Sequence, residues 1–219
     1  MNAVPVSRRA RPAKAPLSRE LVIETGLRIL DTEGLAALTM RRVAQELDTG
    51  AASLYVYVAN RGDLMTGMLD HVLATVPAPV GGNWRARLTT LVEATIEELG
   101  RHEGLATIAF GRIAVTGHAL GLIEQVLALL REGGLDPATA AWAVDLIQLH
   151  IAAEAAERAA AVPGHEAVIT RRLTELSAEQ YPTVAALRHE LLAGDGAERA
   201  RWALRAMLNG ILATPVGAR

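Results

Sequence analysis

Apolar residues recur along this chain at helical spacing almost from end to end. Leu21, Ile23, Leu27 and Leu30 line a first helix that Ser18 can cap, with Glu20 near its positive end and Gly34 as its stop. A second helix starts at Thr39, whose hydroxyl can cap it, and sets Met40, Val43, Ala44 and Leu47 on one side. After the turn Asp48-Thr49-Gly50, where Gly50 supplies backbone freedom, a third helix from Ala51 to Val58 keeps Leu54 and Val58 for the core. None of these stripes can be buried alone, so together they predict one small three-helix bundle.

From Arg61 to Val76 a fourth helix carries Leu64, Met68, Leu69, Val72 and Leu73, a stripe suited to joining that bundle to the rest of the chain. Pro77, Pro79, Gly81 and Gly82 then crowd helix breakers and flexible residues into one short boundary. Beyond it the pattern predicts helices over 84–102, 104–114, 116–132, 137–161, 165–178, 182–193 and 196–213, and no sheet. The expected fold is all-α: an arm over 1–16, a helix-turn-helix unit with its connecting helix over 17–76, and a larger helical domain over 84–214.

Composition narrows the function classes. The 219 residues are 51% hydrophobic, enough for one large core or two smaller ones. No apolar run approaches the roughly 20 residues that span a bilayer, and the N-terminus lacks an apolar signal core, so the expectation is a cytoplasmic protein with no membrane partner. The absence of cysteine excludes a disulfide framework, a thiolate nucleophile and a cysteine zinc site. Nothing in the residue pattern calls for a cofactor or a metal.

The formal net charge of −2 is unevenly distributed. Through Arg61 there are nine basic residues against six acidic, and beyond it thirteen against eighteen. The first 16 residues hold Arg8, Arg9, Arg11 and Lys14 with no acid, and Pro5, Pro12 and Pro16 keep them out of a helix. That arm is either a disordered solubilising tail or a segment that reaches phosphates or a minor groove.

The outer side of the third helix is unusual: Ala51, Ala52 and Ser53, then Tyr55 and Tyr57. A helix that enters a major groove needs a slim leading end, so that its backbone nears base edges, and hydroxyls that bond phosphates or bases. Arg41 and Arg42 on the second helix and Arg61 just past the third supply charge where the phosphate backbone would pass on either side. Each residue also has a bland role open to it. Thr39 can be a simple cap, Tyr55 can pack on the first helix, Arg42 can be a solvated charge, and Arg61 can merely open the fourth helix.

Several separated stretches, in order and at matching spacing, resemble the tetracycline-repressor (TetR) family of bacterial transcription regulators. They are Asp31 to Gly34, Leu38-Thr39-Met40-Arg41-Arg42-Val43-Ala44, Ser53-Leu54-Tyr55-Val56-Tyr57-Val58, and Asn60-Arg61 with Leu64. The resemblance covers residues 18 to 75. It implies a ligand-responsive repressor that binds a double-stranded DNA operator as a homodimer, with Thr39 and Tyr57 on phosphate, Arg41 on a base, and Ala51, Ala52, Ser53 and Tyr55 facing the groove. Val56 and Tyr57 stand where many members carry His or Trp after the first tyrosine, which leaves the base preference open. For the second domain it implies only the architecture, an all-helical effector-binding and dimerising unit.

Two helices of that domain are suited to self-association. The long one offers Ala152, Ala156 and Ala159 among other small residues, with the stripe Val144, Ile147 and Ile151, and the last offers Trp202, Ala206 and Gly210. Paired with their copies they would make a four-helix interface, unless both stripes face this chain's own core. Candidate ligand contacts are polar or aromatic residues set among apolar ones: Phe110, Arg112, His118, Asp145, Gln148 and His150, for an apolar or amphipathic small-molecule effector. His150 and Glu154 are four apart, which suits an ordinary helix pair better than a metal site. A ligand-independent DNA-binding or scaffold protein is one alternative. A small helical enzyme using His118, His150, Asp145 or Glu154 is another, disfavoured by the lack of a nucleophile motif or of metal-ligand spacing.

Overall fold

The structure is a computed structural model that describes residues 16–102, 104–110, 117–160 and 164–217, with the backbone alone at positions 107, 110, 165 and 166. The arm over 1–16 therefore lies, except for its last residue, outside the described residues, as does Arg112. Every element described is helical. The first three are α1 (Arg19–Glu33), α2 (Met40–Glu46) and α3 (Ala51–Leu54), followed by α4 (Arg61–Leu73). The larger part holds α5 (Trp84–Gly100), α6 (Leu105–Phe110), α7 (Gly117–Glu132) and α8 (Pro137–Ala159). It ends with α9 (His165–Thr174), α10 (Pro182–Ala186), α11 (Arg188–Leu192) and α12 (Gly196–Ala213).

Local chemistry sets the helix ends. The Ser18 hydroxyl accepts from Leu21 N at 3.1 Å and the Thr39 hydroxyl from Arg42 N at 3.1 Å, each occupying an amide that a first turn leaves unpaired. Asn60 caps α4 by accepting from Asp63 N at 2.9 Å, and Asp63 reaches back to accept from Ala59 N at 2.8 Å. Three expectations need correction. The left-handed residue in the turn before α3 is Asp48, with φ +48°, whereas Gly50 is extended with φ −77°. Aspartate tolerates that conformation because its short side chain can bond locally. The helix α3 is a single turn that runs on as hydrogen-bonded turns through Val58, whose N–H donates to Leu54 O at 3.0 Å. The segment expected as one helix over 182–193 breaks at Leu187 into α10 and α11.

Helices α1 to α4 bury Val22, Ile29, Leu30, Leu38, Val43, Leu54, Val58, Leu64 and Met68 in one core. Two glycines set how closely α1 and α4 approach. A Cβ on Gly67 would lie 2.9 Å from Ile23 Cδ1, and one on Gly26 3.0 Å from Met68 Sδ, so the helices meet at a distance only hydrogen permits. The other side of α4 meets α5, α6 and α7, so that a continuous core runs from the small bundle into the larger part. There α8 is the central helix, packed on α5, α6, α7 and α12. Helices α9, α10 and α11 pack on one another around Ala185 and leave Val168, Ile169, Tyr181, Leu187 and Leu191 exposed.

Candidate nucleic-acid interface and effector cavity

The candidate DNA-reading residues gather on one surface formed by α2, α3 and the turns after it. Thr39, Arg41, Ala52, Ser53 and Tyr55 are exposed, Tyr55 by 54%, although its ring is the kind usually buried. Arg41 has no hydrogen-bond or ionic partner among the described residues, which leaves its charge for an outside anion. Ala51 and Tyr57 are half-buried and pack on the core, Tyr57 with its carbonyl held by Arg19 Nη1 at 2.7 Å. Val56, outside the candidate set, is 80% exposed at the tip between the tyrosines. It stands two residues from both Leu54 and Val58, which are buried, so the helical turn carries it to the opposite side.

Two of the three arginines are bonded to groups of the chain itself. Arg42 lies 2.6 Å from Glu33 and 2.8 Å from Glu46, and Glu46 also takes Arg28. The hydrogen bonds from Arg42 hold the Glu33 carboxyl below its ordinary range, those from Arg28 and then Arg42 do the same for Glu46, and both raise Arg42. Arg61 donates from Nε to Leu38 O at 2.6 Å and from Nη2 to Leu35 O at 2.9 Å. It therefore fastens the start of α4 to the loop between α1 and α2. On the other flank Arg19 reaches Asp63 at 3.1 Å, and its hydrogen bond is the chief cause of the lowered Asp63 pKa. This candidate surface is thus braced against α4 from two sides.

Between α4, α5, α7 and α8 lies a cavity of about 70 Å³, walled by Leu69, Leu73, Leu99, Leu122 and Ile123 among others. Its polar groups are few. Thr95 donates to its own helix at Leu91 O at 2.7 Å, which leaves Gln148 as the side chain in the wall without a partner among the described residues. Of the candidate ligand residues whose side chains are described, Gln148 alone lines this cavity. Asp145 is exposed, and His150 lines a different space between α5, α8 and α12. The side chains of Phe110 and Arg112 lie outside the described residues.

His118 has another part. Its ring lies 3.0 Å from Asp70 Oδ2, while Asp70 Oδ1 accepts from His118 N at 2.9 Å and Ala119 N at 3.3 Å. A carboxylate of α4 thus caps the first turn of α7, the helix whose next turns wall the cavity. Sequence spacing gives no hint of this, since 48 residues separate the pair. A second bridge joins His102, after α5, to Asp31 of α1 at 2.9 Å.

The candidate self-association residues divide. Val144, Ile147, Ile151 and Ala152 are buried within the chain, Ala152 at 3% exposure in the cavity wall, so this side of α8 meets the protein's own core. Ala156 packs on that core as well, and Ala159 is half-buried. The outward side of α8 carries instead Trp142, 54% exposed, with Leu146 and Leu149. On α12 Trp202 is 65% exposed, and Ala206 and Gly210 are exposed beside it. Among the described residues no group of three or more His, Asp or Glu could hold a metal ion, and no helix is long and apolar enough to cross a membrane.

A braced helix-turn-helix surface joined through one helix to a helical body with an apolar cavity defines a DNA-binding regulator of the ligand-responsive type. The family model described as "Tetracyclin repressor-like, C-terminal domain" matches residues 76–214. The HTH-type transcriptional repressor DrrR1 of Streptomyces coeruleorubidus is 33% identical over 84% of this chain and 75% of its own length. The crystal structure of the Streptomyces coelicolor TetR family protein ActR in complex with actinorhodin superposes with a TM-score of 0.81 at 35% identity, over 91% of this chain and 97% of that one. The class E tetracycline repressor of Escherichia coli is 42% identical over 60 residues, 27% of this chain and 28% of its own. The chain belongs to the tetracycline-repressor family of ligand-responsive transcriptional regulators, which bind operator DNA as homodimers and are not enzymes.

Proposed function

We propose that the chain is a cytoplasmic repressor, released from a palindromic operator when a small apolar or amphipathic molecule enters the cavity beside α4. Residues 17–76 form the DNA-reading unit and 84–214 the effector-binding and dimerising unit. Thr39, Arg41, Ala52, Ser53 and Tyr55 meet the DNA, with Val56 at the advancing tip, while Arg42 and Arg61 hold that surface in shape. Trp142 and Leu146 of α8 pack with Trp202, Ala206 and Gly210 of α12 against the same helices of a second copy. The exposed apolar groove of about 330 Å³ between α8 and α12 supports this.

The Asp70 cap carries the mechanism. A cavity of about 70 Å³ is well below the roughly 300–1,000 Å³ of drug-sized sites, so an effector enters only by pushing its walls apart. Ala119, Leu122 and Ile123 of α7 are among those walls. The first turn of α7 is held by Asp70, so α4 moves with α7. Arg61 and Asp63 fasten the start of α4 to the bundle, which turns the bundle in turn. Two half-sites lie about 34 Å or a multiple apart, and a dimer whose reading heads no longer match that spacing lets go. Coupling of about 1 to 3 kcal/mol changes operator affinity about 5- to 150-fold. The complex of ActR with actinorhodin, at 35% identity, supports a small-molecule effector here.

Genomic DNA fragments retained by the purified protein at moderate salt test this, because operator binding outlasts phosphate attraction alone. One or a few palindromic sites are expected. Retention of unrelated fragments, or of none, would remove the repressor assignment.

A further inference from the structure

A second hollow, of about 360 Å³, opens between α5, α8 and α12. It lies on the far side of the α5–α8 contact from the effector cavity. On α8, Gln148 and Ala152 face the effector cavity, whereas His150 and Glu154 face this hollow, and two residues of helix turn a side chain through about 200°. On α5, Thr95 and Leu99 face the one and Val92, Glu93 and Ile96 the other.

The walls differ in kind. Val92, Ile96 and Leu204 form an apolar patch, rimmed by Glu93, Glu97, Glu154 and Glu157 against Arg158 and Arg201. Both arginines are engaged: Arg201 lies 2.8 Å from Glu93 and Arg158 3.6 Å from Glu97, which also takes Arg101 at 3.2 Å. Glu157 has no cationic partner among the described residues, and Glu154 has only His150, 3.8 Å from its carboxylate. Burial pushes the His150 imidazole below its ordinary range, against the opposing pull of Glu154, so it is neutral near pH 7. Its Nδ1 lies 3.8 Å from Glu154, beyond hydrogen-bond reach, so Nε2 is free to accept from an incoming N–H. That Nε2 is buried and has no hydrogen-bond partner among the described residues, a cost that native interiors rarely leave standing.

An unpartnered imidazole nitrogen, carboxylates without counter-charge and an apolar patch together specify a complement. We propose that this hollow is a second small-molecule site, for an amphipathic organic ammonium ion. Its charge meets Glu154 and Glu157, an N–H donates to His150 Nε2, and its apolar body lies on Val92, Ile96 and Leu204. The site is framed by α8 and α12, whose outer sides are the proposed dimer surface, so an occupant braces α12 on α8 without entering the effector cavity.

Calorimetry on the full chain with three probes that share one ring system tests this: 1-naphthylmethylamine, 1-naphthalenemethanol and 1-naphthaleneacetate. The ammonium compound is expected to bind about tenfold or more tighter than the alcohol, and the acetate not at all. Glu154→Gln and Glu157→Gln should each weaken the ammonium compound about tenfold. Ala200→Phe, which fills the hollow, should abolish binding, and Ala152→Leu in the effector cavity should leave it unchanged. Equal binding of amine and alcohol would overturn the proposal. So would ammonium binding that survives both glutamine substitutions, or that is lost in Ala152→Leu alone. Should Ala200→Phe not fold, the two conservative glutamine variants decide.

Discussion

Replacing Arg41, Arg42 and Arg61 one at a time by Met separates charge that meets phosphate from charge committed inside the protein. A cation that neutralises one phosphate adds about 0.9 to the slope of log affinity against log salt. Arg41 is exposed without a partner among the described residues, so both copies in a dimer are available and Arg41→Met should lower the slope by about 1.8. Across a fourfold rise in salt that is about tenfold less loss of affinity. Arg42, held between Glu33 and Glu46 at 2.6 and 2.8 Å, brings no free charge, and Arg42→Met should leave the slope within about 0.3 of the parent. Arg61→Met removes two hydrogen bonds to Leu38 and Leu35 carbonyls, a loss of about 2 kcal/mol, or about 4–8 °C in Tm for a chain of this length. Its slope should change little. Fluorescence anisotropy on a labelled duplex from about 50 to 200 mM salt gives the slope, and thermal melts followed by circular dichroism give Tm. The reasoning is refuted if Arg41→Met keeps the parent slope, or if Arg42→Met or Arg61→Met lowers it equally.

Asp70→Ala removes the cap on α7 at a cost of about 1 kcal/mol and should leave operator affinity nearly unchanged while cutting the effector response severalfold. A full effector response in that variant would disprove the joint between α4 and α7. Ala152→Leu fills the effector cavity and should hold the protein on its operator at effector concentrations that release the parent, so release in a gel-shift titration would count against the cavity. Trp142→Glu with Trp202→Arg should turn the dimer into monomers by analytical ultracentrifugation, and an unchanged sedimentation coefficient would reject that surface. Glu33, Glu46 and Asp63 are held below the ordinary carboxylate range, so their contribution is complete above it and lost as pH falls through it toward the folded values. Tm should therefore be level from about pH 8 to 6 and decline below about pH 5, less steeply in an Arg28→Met, Arg42→Met double variant. An identical acid profile in that variant would contradict the pairing.

Short-range interactions are legible because they act over three or four residues, the same span as a helical turn. The Ser18 and Thr39 caps, the core side of α1 and α2 and the break after α4 could be read directly, as could the exposure of Ala52, Ser53 and Tyr55, whereas Ala51 and Tyr57 pack on the core. Turn chemistry was less legible, since Gly50 and Asp48 both suit a left-handed position and only the backbone path decides between them.

The helical spacing of apolar residues determined that the described elements are helices, and the order of the motifs determined the family. Tertiary structure decided which partner each charge found and which side of each helix turned inward. Arg42 and Glu33 are 9 residues apart, Arg61 and Leu38 23, Asp70 and His118 48, and no helical periodicity relates such positions. The long α8 offers apolar residues on several sides at once, so its own pattern could not say that Ile147, Ile151 and Ala152 face inward and Trp142 outward. Packing against α5, α6 and α7 settled it, because burial is fixed by what the rest of the chain brings alongside.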